Sequence, residues 1–403
     1  MTNQSNHLVP LPCEGGRGLP LAALLALTMA SFIATANESV PAGLLFGIAQ
    51  GLGVSEAGAG QLVTCCAFGS GLAAIPLTAL FAEWPRRRLL LAALSIFLVG
   101  NTMTAATDSY LAALLARFVI GLATGVTWSL LAGYARSLVG PARQGRAMAV
   151  AMAGIPLALA LGMPLGSWLG AVAGWRSVFL FLAAMAAVLI VWVYAAVPEL
   201  QDSQTLRRKR LPEVLTTPGV GPILVVLALW IFSHYLMYTY VSPLLAWLGF
   251  EPHLQQVLLI FGLSAVAGNW LVGMLIDRWL RRLVLACLAA FVATAAGFSL
   301  SPSNPLLVGI GVIVWGLSFG GAPTLLQTAL ADRAEAEANI AQSVLVTVFN
   351  LAFAGSGALG GALLETQGAR TLPCVAAGLL AAAGLIVWQA SHSGFKRGPR
   401  SGK

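Results

Sequence analysis

Along the 403 residues, apolar runs of about 18 to 29 residues alternate with short polar stretches. The runs fall near 20–47, 57–81, 88–106, 110–134, 145–170, 177–197, 219–247, 254–276, 283–300, 305–330, 339–364 and 371–390. About 20 apolar residues in a helix cross the hydrocarbon of a bilayer. The pattern therefore predicts an all-α membrane protein of twelve transmembrane helices. The eleventh run is the weakest, because Asn339, Gln342 and Asn350 dilute it.

Charge placement orients the set. If the N-terminus is cytoplasmic, the inward connections carry Arg86 to Arg88, Arg136, Arg143, Arg146, the 207–210 cluster, Arg278, Arg281, Arg282 and Arg333. The outward connections hold only Arg176 and Arg370. Basic residues are retained on the cytoplasmic side of membranes, so both termini are expected in the cytoplasm. The division expected is a tail at 1–18, a six-helix bundle at 19–197, a basic linker at 198–218, a second six-helix bundle at 219–391 and a basic tail at 392–403. The linker, with four consecutive basic residues, reads as a tether on anionic headgroups.

The two bundles echo one another. ALFAEWPRRRLLLA from Ala79 and MLIDRWLRRLVLA from Met274 each follow a Gly-rich run, carry an acid and a Trp, and end in arginines. They lie about 195 residues apart, at the connection between spans two and three of each six. Parallel repeats with a site between them near the midplane are a transporter architecture.

Composition narrows the function. With 58% hydrophobic and 9% charged residues, and 44 glycines, the chain leaves no room for a large soluble domain. The net charge of +8 sits in short clusters between apolar runs, without the exposed aromatics of a single-strand binder, so no nucleic acid is expected. Cys13, Cys65, Cys66, Cys287 and Cys374 show neither a disulfide framework nor metal-ligand spacing. His7, His234, His253 and His392 are scattered, so no nucleophile, base or metal cluster supports a membrane-embedded enzyme. No metal and no cofactor are expected.

Four segments carry a resemblance. NESVPAGLLFGIAQGLGVS (Asn37 to Ser55), RFVIGLATG (Arg117 to Gly125), LGMPLGSWLGAVAGWR (Leu161 to Arg176) and YTYVSPLL (Tyr238 to Leu245) together resemble the major facilitator superfamily. Within it they are most similar to the twelve-span drug:proton antiporters, in particular bacterial sugar (arabinose), purine and nucleoside efflux and chloramphenicol-resistance transporters. The resemblance covers roughly Leu21 to Gln389. It implies two pseudo-symmetric bundles and proton-coupled export by alternating access, from a multi-pass protein of the bacterial inner membrane that works as a monomer. The partners implied are the lipid bilayer and a small solute, with the proton as coupling ion. A symporter of the same fold is the nearest rival. The first inward loop departs from the family, with Ala82 at the expected Asp and Glu83 at the expected Arg. The second copy keeps Asp277 and Arg278. In the family these positions, with the arginines that follow such as Arg86, latch the halves together.

Glu38 is the one acid well inside a span, and an intramembrane carboxylate is a functional candidate by default. It lies about ten residues, or roughly 15 Å, from the outer end of helix one. Arg117 lies about eight residues, roughly 12 Å, from the outer start of helix four. The family fold makes these helices neighbours, so the two charges meet at one depth. Burial and a neighbouring arginine act on a carboxylate in opposite senses. Two readings stand: a proton carrier, or a static ion pair that fixes helix packing.

In the fifth span Gly154, Gly162, Gly166 and Gly170 alternate with Pro156 and Pro164. This makes a small-residue face for close packing, and the resemblance adds sealing of the cavity in one conformation. His234 and Tyr238 share a face of helix seven and are cavity candidates, as are Asn37, Trp128, Trp315, Gln327 and Asn350. Asn269 is a further buried polar position. Tyr240 reads as an interfacial anchor near the outer headgroups.

Overall fold

The computed structural model describes residues 19–73, 76–81, 84–140, 144–199, 216–300, 304–334 and 338–390. All the elements it contains are helical. In chain order they form α1 (Leu21–Leu52), α2 (Glu56–Ala73), α3 (Arg86–Ala106), α4 (Tyr110–Ser137), α5 (144–173) and α6 (Trp175–Ala196). These are followed by α7 (220–248), α8 (Glu251–Ile276), α9 (Arg278–Leu300), α10 (Pro305–Ala334), α11 (Ala338–Gln367) and α12 (Thr371–Gln389). Eleven are long and apolar enough to cross a membrane. The exception is α2, an 18-residue helix diluted by Glu56, Gln61 and its glycines, with a short helix, Pro76–Leu80, further along the chain. Large side chains such as Val188, Trp270, Leu385 and Trp388 are exposed, as a lipid-facing surface requires.

Proline and glycine decide where the helices break. In α1 the helix Leu21–Ser39 gives way to a tight turn, Val40–Leu44, before Leu45–Leu52. Pro41 has no N–H to offer the Asn37 carbonyl four residues back. The same event recurs in α7, where Val220–Tyr238 and Val241–Leu248 flank a turn at Thr239 and Tyr240, just before Pro243. Both helices end on a left-handed glycine, Gly53 (φ 65°) and Gly249 (φ 79°). In α5 the backbone widens into a π-turn at Ala158–Gly162, where Pro164 cannot bond the Ala160 carbonyl. Between α8 and α9 the expected connection is nearly absent. The run Leu254–Leu300 stays helical except at Trp279 (φ −132°, ψ 26°).

The repeat seen in the sequence is a repeat of packing. A Cβ on Gly121 would lie 2.1 Å from the Cys66 carbonyl oxygen, and one on Gly125 would lie 2.3 Å from that of Ser70. The equivalent contact joins α8 to α10, so that helices α2–α4 and α8–α10 approach to backbone contact: Gly316 faces the Phe261 carbonyl (2.5 Å) and Gly320 that of Ala265 (1.9 Å). Every one of these partners is displaced by 195 residues. So are the helix caps, since Ser109 accepts from the Ala112 amide and Asn304 from those of Leu306 and Leu307. The arginine clusters serve matching ends. Arg87 donates to the Val197 carbonyl beyond α6, and Arg281 donates to the Val387 and Trp388 carbonyls of α12.

Candidate functional site

The site is built on the break in α1. Pro41 frees the Asn37 carbonyl, and the Arg117 guanidinium of α4 donates to it through Nη2. Arg117 is fully buried, with the Phe179 ring of α6 5.8 Å from its guanidinium carbon. Glu38, the next residue, is buried too, and its Oε2 accepts from the Trp128 indole N–H at 3.4 Å. The Ser70 hydroxyl of α2 lies beside it. The structure thus brings Asn37, Glu38, Arg117 and Trp128 together, but the bond of Arg117 goes to the backbone rather than to the Glu38 carboxylate. Glu38 Oε1, both side-chain polar atoms of Asn37, and Arg117 Nε and Nη1 have no hydrogen-bond partner. Buried polar atoms in that condition mark a place for water or ligand.

Across from this cluster, the break in α7 carries aromatic rings. The His234 imidazole is stacked on Phe319, with centroids 3.3 Å apart and an interplanar angle of 9°. Its Nδ1 accepts from the Trp315 indole N–H at 3.1 Å, which leaves the neutral ring's proton on Nε2. Tyr238 stacks beside it at 5.0 Å, and Tyr235 stacks on Phe353 at 3.6 Å. Tyr235 is within electrostatic reach of Glu38 in the other half. Of the cavity candidates, His234, Tyr238 and Trp315 belong to this group. Asn350 instead lies where α11 meets Gly71 of α2, and Gln327 is exposed on α10. Asn269, also exposed, accepts from the Thr324 hydroxyl. Sequence reasoning missed Ser70, Phe319 and Phe353, none of which is unusual in an apolar helix.

The halves are sealed at the end that carries Gly53, Gly249 and Gly368. There Ser55 donates to Glu365 at 2.7 Å. Tyr240 is not an interfacial anchor. It is fully buried, donates to the Gly357 carbonyl at 2.6 Å, and fills a slot that a Cβ on Gly60, Gly360 or Gly361 would close. Gln61 of α2 approaches its hydroxyl at 3.5 Å. The seal continues along α2 and α11 to Thr64 against Gly357 and Gly71 against Asn350. The glycine face of α5 packs closely within its own half: Gly154, Gly162, Gly166 and Gly170 lie on Ser31, Phe32, Val40 and Leu44 of α1. Contact with α8 comes from the π-turn, where Leu159 and Ala160 meet Gly262.

Of the latch residues, Glu83 lies outside the described residues, as does the side chain of Asp277. Arg86 donates to Ser137 at the end of α4 at 3.2 Å, and Arg278 is exposed. Among the described residues no three His, Cys, Asp or Glu side chains gather as metal ligands.

Comparison with known proteins places this geometry. The family model described as Major Facilitator Superfamily matches residues 27–355. A protein of Escherichia coli named purine ribonucleoside efflux pump NepI is 30% identical over 350 residues, covering 85% of this chain and 87% of its own. Its namesake in Salmonella paratyphi B is 28% identical over 356 residues, covering 87% and 89%. Among solved structures, the nucleoside transporter NupG superposes with a TM-score of 0.72 at 14% identity, covering 91% of this chain and 99% of that one. A bacterial homologue of the human lysosomal transporter Spinster, in an inward-facing and unoccupied conformation, gives 0.73 at 15% identity, covering 96% and 100%. The chain is a transporter rather than an enzyme, with many membrane-spanning helices and bacterial relatives along most of its length. It belongs to the Major Facilitator Superfamily.

Proposed function

We propose that the protein is a proton-coupled exporter of a small organic solute, with nucleosides the first class to test. The observation that carries this is the buried group at the α1 break, where a carboxylate, a guanidinium and an amide keep unpartnered polar atoms between two halves. An ionised Glu38 in that setting needs a compensating partner. A proton supplies one, and a hydroxyl or N–H of the solute supplies another. If the two compete for the carboxylate, entry of one expels the other, which is antiport. The names of the relatives support efflux and a purine nucleoside. The sugars and chloramphenicol-like drugs suggested by the sequence, with drug resistance as the result, stay in the test panel.

With the arginine-rich end in the cytoplasm, the sealed end faces outward and the solute enters from inside. Each chain contains both halves of the site, so a monomer suffices. Transport by inside-out vesicles with an imposed pH gradient tests the reading. Wild type should accumulate solute uphill. Glu38→Gln should lose uphill accumulation while keeping passive exchange. Uphill transport by a well-folded Glu38→Gln protein would remove Glu38 as the proton carrier, and accumulation with the gradient reversed would indicate symport.

A further inference from the structure

The two halves share a backbone plan but not a chemistry. At the 195-residue offset that superimposes their glycine contacts and caps, Cys66 corresponds to Phe261, Ile120 to Trp315 and Thr124 to Phe319. The N-terminal half packs these positions without a ring, so the fold does not demand aromatics there. The C-terminal half places a ring at all three, around His234. We infer that this aromatic cluster is the binding site for a planar nitrogen heterocycle of the solute, while the polar break in α1 takes its hydroxyls and the coupling proton. The inference rests on the transport reading and names the substrate class.

Three observations support it. The Tyr238 hydroxyl is buried and without a partner, although a buried hydroxyl almost always finds one. The His234 imidazole, fixed by Trp315, offers a single N–H from Nε2. Tyr235 and the partly exposed Phe349 form the rim of the cluster, and Tyr235 is the member within electrostatic reach of Glu38. On this inference one solute would reach from the rim to the charged site. Ring faces attract the π-face of any base, and a hydroxyl plus one N–H can read ring nitrogens and exocyclic groups. A polyol without a ring system has no use for such a wall.

The test is calorimetric binding to the purified full-length protein, with inosine and arabinose as probes, beside gradient-driven transport of the same two solutes. Wild type should bind inosine and not arabinose. Tyr235→Leu should weaken inosine binding roughly tenfold, the loss expected when one stacking ring is removed. Tyr238→Phe keeps the ring and should still weaken inosine binding severalfold at unchanged thermal stability. Unchanged inosine affinity in both variants would overturn the inference and reduce the cluster to packing. Uphill transport of arabinose by a wild type indifferent to inosine would also overturn it, yet leave the transport reading standing. Transport of neither solute under any gradient, together with no binding, would count against both.

Discussion

At the residue scale, Pro41 and Arg117 form one unit. The proline removes the internal donor for the Asn37 carbonyl, and the arginine replaces it from another helix. Arg117→Ala leaves that carbonyl without a donor in the protein interior, a loss of about 1–3 kcal/mol. Pro41→Ala restores an N–H four residues on. The double variant should therefore be destabilised by less than the sum of the two single changes. A double-mutant cycle on thermal unfolding in detergent measures the coupling. Additive losses would mean that the Arg117 bond to Asn37 contributes little. Glu38→Gln separates from both, because it removes titration while keeping size and hydrogen-bonding groups.

At the scale of helices, glycine sets the distances. Gly121 on α4 and Gly316 on α10 each face a carbonyl oxygen that a methyl group would strike. Gly121→Ala and Gly316→Ala should each cost about 1–3 kcal/mol, as overpacking does. Gly378→Ala on α12, with nothing within 4 Å, should be neutral or slightly stabilising. Melting temperatures and the monodisperse yield of the three variants decide it. Equal behaviour of all three would show that the helix pairs have slack to separate. The breaks in α1 and α7 work the other way, since proline opens the backbone where the two halves face each other, and discontinuous helices at matched positions of a repeat are a common binding-site device.

At the scale of the whole molecule, transport requires the seal at the Ser55 and Glu365 end to open. In a background without the native cysteines, Ser55→Cys and Glu365→Cys should react with an impermeant thiol reagent from outside, whereas Gln204→Cys should not. External labelling at Gln204 would reverse the assignment of sides. A short cleavable cross-linker between Ser55→Cys and Glu365→Cys should stop transport and release it on reduction. Undiminished transport by fully linked protein would show that this seal never opens. Tyr240 belongs to the same device, holding Gly357 of its own half while Gly60 and Gln61 of the other close over it.

The membrane class, the approximate spans, the repeat and the two buried charges were all legible in the chain. Each depends on local composition: apolar length against bilayer thickness, arginine against the membrane's two sides, and a carboxylate where hydrocarbon is expected. Pro41 and Pro243 even mark the breaks, because a missing N–H acts four residues away in the same helix. What a side chain meets is another matter, since partners come from helices far apart in sequence. Glu38 and Arg117 were legible as neighbours, but that the arginine bonds the Asn37 backbone depends on the register of α4 against the break. The α5 glycines advertise close packing without saying against which helix, and it is α1. Tyr240 looks like a headgroup anchor by position and becomes the buried plug of the seal only because glycines on α2 and α11 leave it a slot. Phe319 and Phe353 are unremarkable aromatics until packing stacks them on His234 and Tyr235. Only the tertiary structure decided those, because identical local chemistry serves core, lipid face or site according to which helix lies opposite.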